Sequence, residues 1–211
     1  MKKYRTCTDY WLDTHNMTFR GEFEEMYTDI GDPWDCSKAS NALNNRLFLE
    51  ILFYERKYRR ILDVGCGLGS MTYKYFCRNG GGSVTGYDIS PTAISKASKA
   101  FPEIKFFVKN ILNDEIEGRY DLIILSELLW YILDGVKDVF LKLYDTVLKN
   151  GIIGIHQYFP KEQRFGNEII DGIGGFEKFI MKDTGFLVKE KFLCYGDYEG
   201  IVLLAVLKKN R

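Results

Sequence analysis

Three glycines, Gly65, Gly67 and Gly69, alternate with Cys66 and Leu68 directly after the apolar run Ile61-Leu62-Asp63-Val64. Glycine at such a turn lets backbone amides approach a ligand closely, and a helix starting there favours a negative group at its N-terminus. A dinucleotide fingerprint runs Gly-x-Gly-x-x-Gly. Here the third glycine comes one residue early, position 70 is Ser and an acid precedes the turn, so the spacing leans away from a nicotinamide cofactor. A second acid, Asp88, closes the run Ser83-Val84-Thr85-Gly86-Tyr87-Asp88, 25 residues after Asp63. At the carboxyl edge of a sheet, such a carboxylate can accept hydrogen bonds from both hydroxyls of a ribose.

The elements that must position these groups alternate. Strand-like runs cover Arg60 to Val64, Ser83 to Asp88, Ile104 to Val108, Tyr120 to Leu125 and Gly151 to His156. Helical segments lie between them at Ser70 to Arg78, Pro91 to Ala100 and Val136 to Leu148, with Ser90 as a cap before Pro91 and Asn150-Gly151 as a helix end. That alternation predicts a parallel sheet with helices on both faces. A last helix, Phe176 to Thr184, leads into strands Phe186 to Cys194 and Ile201 to Lys208, whose short link predicts an antiparallel hairpin. Before residue 42 the texture is aromatic and aperiodic, which predicts an N-terminal arm or lid (1–41) on an α/β body (42–211) within a single domain.

Composition narrows the partners. With 29 Lys+Arg against 29 Asp+Glu there is no overall field for a polyphosphate backbone, so no nucleic acid is expected. Five cysteines without C-x-x-C spacing fit reduced cytoplasmic thiols better than disulfides or zinc. No apolar run approaches the roughly 18 residues that span a bilayer, and no apolar segment follows the N-terminal basic residues. The chain is expected to be unexported, cytoplasmic and without a membrane partner.

The turn Asp63-Val64-Gly65-Cys66-Gly67-Leu68-Gly69 resembles the first motif of the class I S-adenosylmethionine-dependent methyltransferases, and the likeness runs from about Leu43 to the C-terminus. It implies a Rossmann-like doubly wound seven-stranded sheet of order 3-2-1-4-5-7-6 with the last strand antiparallel. It implies S-adenosyl-L-methionine as cofactor and S-adenosyl-L-homocysteine as product. Carried over by position, Gly65 and Gly67, with Cys66 between them, lie along the methionine part. Asp63 supports the turn and the methionine ammonium, and Asp88, followed by Ile89, holds the ribose. Asn110 stands where the family usually has an acid that reads the adenine amino group, and Ile111 packs the ring. Ser126, Glu127 and Leu128, after the fourth strand, border both cofactor and acceptor.

The acceptor is expected to be a small molecule methylated on nitrogen or oxygen. The segment Ser126-Glu127-Leu128-Leu129 is not the Asp/Asn-Pro-Pro-aromatic signature of nucleobase amine methylation, and no Asp/Asn cluster suggests a metal. Glu24-Glu25-Met26-Tyr27 followed by Ile30-Gly31-Asp32-Pro33-Trp34 resembles the nodulation N-methyltransferase-like branch, which implies a sugar or amino-sugar type of acceptor. Trp34, Tyr131 and Tyr158 are the expected acceptor-pocket residues, with Gln157 to Gly175 as a second cover. His156, at the end of the fifth strand, is the expected base for a hydroxyl acceptor, ahead of His15. The rival readings are an NAD-dependent oxidoreductase and a non-catalytic homologue that binds the cofactor without turnover.

Overall fold

The computed structural model describes residues 3–35, 42–80, 82–195 and 200–210. The expected arm-to-body boundary falls at 36–41, outside the described residues, as do Cys36 and most of the turn between Tyr195 and Gly200. The arm has short elements of its own: helix α1 (Thr8–Trp11), a hairpin of β1 (Leu12–Asp13) and β2 (Thr18–Phe19), and helix α2 (Phe23–Asp29). Helix α3 (Leu43–Phe53) opens the body.

The body then alternates: β3 (Arg60–Val64), α4 (Ser70–Asn79), β4 (Ser83–Asp88), α5 (Pro91–Ala100), β5 (Lys105–Val108), β6 (Tyr120–Ser126), α6 (Val136–Thr146), β7 (Val147–Pro160), α7 (Gly172–Asp183), β8 (Phe186–Tyr195) and β9 (Gly200–Lys209). Seven strands form one sheet in the order β5-β4-β3-β6-β7-β9-β8, which is the expected 3-2-1-4-5-7-6 when strands are counted from β3. The first five are parallel to one another, and β9 runs antiparallel between β7 and β8.

The central strands are apolar on both faces because both faces are covered. In β3, Ile61 packs with Phe48, Leu52 and Tyr75 on one side, while Leu62 packs with Phe140 and Leu143 on the other. In β6, Leu122 and Ile124 face the first layer and Ile123 and Leu125 the second. Helix α5 begins as its sequence dictates, with Pro91 in the first turn and the Ser90 hydroxyl accepting from Ala93 N at 3.0 Å.

One boundary differs from expectation. The helix expected to reach Leu148 stops at Thr146, and residues 147–160 form one long strand. Val147 pairs with Tyr120 and Ile152 with Leu122, so Asn150-Gly151 occupies an irregularity in the ladder and not a helix end. His156 therefore lies inside β7. Among the described residues no helix is long and apolar enough to cross a membrane.

Candidate active site

A cavity of about 560 Å³ opens at the carboxyl edge of the parallel strands, within the roughly 300–1,000 Å³ range of small-molecule sites. The chain crosses this edge at β3, β4, β5 and β6, so the residues just beyond each strand end are delivered to one place. Asp63, Gly65, Cys66, Gly67, Asp88, Ile89, Asn110, Ile111, Ser126, Glu127 and Leu128 all line it, together with His156, Trp34 and Tyr131.

The glycine turn is shaped for close approach. Gly65 has φ +77°, and a Cβ there would lie 2.9 Å from Leu128 Cδ1. Gly67 has φ +53°, and a Cβ there would lie 2.8 Å from the Tyr27 hydroxyl. Both positions need left-handed backbone and empty space together, which only glycine supplies cheaply. Asp88 stabilises the turn by accepting from Gly67 N at 2.8 Å and from Ser90 N at 2.9 Å. A carboxylate has about four acceptor sites, so Asp88 retains capacity for ligand hydroxyls. Asp63 accepts from the Thr72 hydroxyl at 2.6 Å. Burial pushes its carboxyl up to about 7, against the Thr72 hydrogen bond and with the help of the Asp88 charge. Burial likewise raises the Cys66 thiol, which makes it a weak nucleophile.

Asn110 stands in the wall, and its carbonyl oxygen accepts from Leu112 N at 3.0 Å, leaving one lone pair for a ligand amine. These neutral and acidic acceptors, with the glycine cradle and the apolar Ile89, Ile111 and Leu128, fit a ligand that combines a ribose, a purine and an ammonium group.

At the end of β6 the backbone turns sharply. Glu127 has φ +53°, uncommon for a residue with a side chain, and its N–H donates to His156 O at 2.8 Å. Its carboxylate accepts from Tyr158 N at 3.1 Å and from Gln157 Nε2 at 3.2 Å, and lies 3.3 Å from His156 Nδ1. The side chain is 42% exposed, and that exposure is to the cavity it lines. Under the arm, burial pushes this carboxyl up to about 7, against the Tyr158 hydrogen bond.

Two expectations are corrected here. Tyr158 is not among the residues that line the cavity: its ring lies beside Gly200, where a Cβ would meet Cε2 at 2.6 Å, and its backbone N–H donates to Glu127. His156 is not presented as a base. Its ring is 3% exposed and lies 5.5 Å from the Phe48 ring, with Nδ1 engaged by Ser126 Oγ at 3.1 Å and Nε2 enclosed without a hydrogen-bond partner among the described residues. Burial holds its conjugate acid down to about 4, so the ring is neutral near pH 7. Both follow from β7 continuing past residue 156. His15 sits exposed in the β1–β2 turn, away from the lining.

No local sequence signal marks how the arm is fastened. Glu24 on α2 accepts from Ser90 Oγ, Thr92 Oγ1 and Thr92 N at the start of α5. Lys96 Nζ donates to Tyr27 O at 2.9 Å and Gly31 O at 3.2 Å, holding the segment that ends in Trp34. Above the cavity, Tyr131 meets Phe23 at 5.0 Å, Trp11 at 5.1 Å and Trp34 at 6.3 Å between ring centroids, while Phe165 meets Trp11 at 6.1 Å. The arm and the segment after β7 therefore join over one tyrosine. Tyr27, Asn45 and Met71 also line the cavity. Of these, Tyr27 lay in a motif that the sequence marked and Met71 in the helical segment expected from Ser70, while Asn45 carried no signal.

Residues 61–151 match the family model described as "Methyltransferase domain". The trans-aconitate 2-methyltransferase of Deinococcus radiodurans is 26% identical over 139 residues, covering 62% of this chain and 53% of that protein. The malonyl-[acyl-carrier protein] O-methyltransferase 1 of Ilyobacter polytropus is 30% identical over 54% of this chain and 43% of that protein. The chain thus spans about half the length of the curated relatives it matches. In fold it is similar to the N-methyltransferase NodS of Bradyrhizobium japonicum in complex with S-adenosyl-L-homocysteine, with TM-score 0.70 and 18% identity over 85% of this chain and 93% of that one. The plantazolicin methyltransferase BpumL, also in complex with S-adenosyl-L-homocysteine, gives TM-score 0.64 and 17% identity over 90% and 96% of the two chains.

Residues 61–151 thus resemble a methyltransferase domain, and the sheet order and fold are similar to those of solved methyltransferase structures.

Proposed function

We propose that the protein transfers the methyl group of S-adenosylmethionine to nitrogen or oxygen of a small-molecule acceptor held under the aromatic arm. The observation that carries this reading is the union of two unlike walls in one cavity: the glycine turn with Asp63 and Asp88, and the aromatic cover of Trp34 and Tyr131. In this reading Asp88 binds the ribose hydroxyls and Asp63 the methionine ammonium. Gly65 and Gly67 give the methionine chain room, and Asn110 and Ile111 take the adenine. Bound there, the cofactor supplies an electrophilic methyl on a sulfonium, passed in line to the acceptor.

The protein's own contribution is alignment and exclusion of water. Tyr131 and the rings of the arm close the acceptor side. His156, neutral and buried, keeps Ser126 and Glu127 in place. The relatives named for trans-aconitate and for malonyl-[acyl-carrier protein], and the neighbours named for N-methylation and plantazolicin, support a small-molecule acceptor without choosing one.

The test is incubation of the protein with methyl-labelled S-adenosylmethionine and a small-molecule extract, read by mass spectrometry. The expected result is label in small molecules together with S-adenosylhomocysteine. Cofactor consumed by hydrolysis alone, or label confined to nucleic acid, would overturn the reading.

A further inference from the structure

Resting on that reading, the geometry points to Glu127 as the group that receives the acceptor, and to a protonated amine as the acceptor it receives. Among the described residues of the cavity wall, Glu127 is the one whose backbone is forced into left-handed space without being glycine, and such backbone persists where its surroundings over-determine it. The surroundings are visible. Tyr158 N–H and Gln157 Nε2, both on β7, donate to the carboxylate from one side, with the His156 ring beside it at 3.3 Å, and Gln157 is itself locked because its Oε1 accepts from Leu129 N at 2.9 Å. Both donors are neutral, and His156 is neutral near pH 7, so they orient the carboxylate and, among the described residues, bring it no cationic partner.

The charge inventory of the cavity supplies the second argument. Among the described residues its acids are Asp63, Asp88 and Glu127, and its cations are Arg20 and Lys109. Arg20 is committed to Asp13 Oδ2 at 2.7 Å and to Asp9 O at 2.8 Å, and lies over the Tyr4 ring. Lys109 is committed to Glu117 at 3.0 Å. In the proposed arrangement Asp63 and Asp88 serve the cofactor, and Glu127 is left for the acceptor. An acceptor carboxylate would meet like charge, with both described cations already paired elsewhere, whereas an ammonium would find a fixed, desolvated partner. The chemistry asked of Glu127 is one proton transfer: an acceptor N–H bond breaks, an O–H bond forms at a Glu127 Oε, and the electron pair stays on nitrogen, ready for methylation.

The test uses full-length protein carrying ¹³C-labelled glutamate, saturated with S-adenosylhomocysteine, with the Glu127 carboxyl signal identified by its loss in Glu127→Gln. Methylammonium chloride is the probe and sodium acetate the control. The expected result is a saturable shift of the Glu127 signal with methylammonium and none with acetate. In Glu127→Gln, methylammonium affinity read at the Met71 methyl, on the same cavity wall, should fall at least tenfold. If that variant does not fold, Glu127→Asp, which withdraws the charge by one methylene, should weaken methylammonium several-fold. A shift with acetate, no shift with methylammonium, or undiminished affinity in the folded variant overturns the assignment. Calorimetry with S-adenosylhomocysteine keeps the two readings apart: no binding there defeats the methyl-transfer reading, while the methylammonium titration repeated without it still judges Glu127.

Discussion

Asp63 and Asp88 stand a few residues from the same turn and do different work. Asp88 is tied by backbone amides, while Asp63 has a single hydroxyl partner and ionises only near pH 7. A buried acid raised in the folded state binds a proton that the unfolded chain has already released. Stability therefore falls as pH rises from about 4 to about 7 and then levels off, by an amount on the order of 4 kcal/mol at most. Urea unfolding should show that slope in the ligand-free protein and a flatter one in Asp63→Asn. His156 acts in the opposite sense: held down to about 4, it removes stability as pH falls below its ordinary value near 6.5. On the proposed reading, Asp88→Ala leaves ribose hydroxyls unpaired and weakens S-adenosylhomocysteine binding by about 1–3 kcal/mol, measured by calorimetry. Unchanged affinity in a folded variant would remove Asp88 from the site. The glycine turn and Asp88 were legible in the sequence because their chemistry is local to one strand end. The state of His156 and the place of Tyr158 were not, because both depend on where β7 ends and on what β9 places beside it.

Elements carry the site through their ends and their fastenings. Replacing Gly67 by Ala sets a Cβ against the Tyr27 hydroxyl in left-handed backbone, at an expected cost of about 1–2 kcal/mol from backbone conformation alone. The double variant with Tyr27→Phe should recover the part due to the clash, which unfolding of both variants would show. The arm hangs on Glu24, whose carboxylate gathers three donors at the start of α5. Glu24→Ala should therefore cost about 1–3 kcal/mol of arm docking and speed cleavage of residues 3–35 under limited proteolysis. Equal cleavage rates would mean that the aromatic contacts around Tyr131 hold the arm unaided. The aromatic content of this segment was visible from sequence, but its fastening was not. Glu24 and Ser90 are 66 residues apart, and nothing local marks them as partners.

For the whole molecule, alternation of strand and helix made the parallel sheet with helices on both faces legible in the sequence, while the order of its strands came from the resemblance of the glycine turn and the closing hairpin to a known family. What alternation does not report is the shape of the cavity it creates, and that shape decides which ligand enters. The central claim is that the cavity at the carboxyl edge holds S-adenosylmethionine. It is tested most directly by calorimetric titration of the protein with S-adenosylmethionine, S-adenosylhomocysteine and NAD in turn. The account predicts saturable binding of both sulfur ligands at one site per chain and none of NAD; binding of NAD alone, or of none of the three, would contradict it.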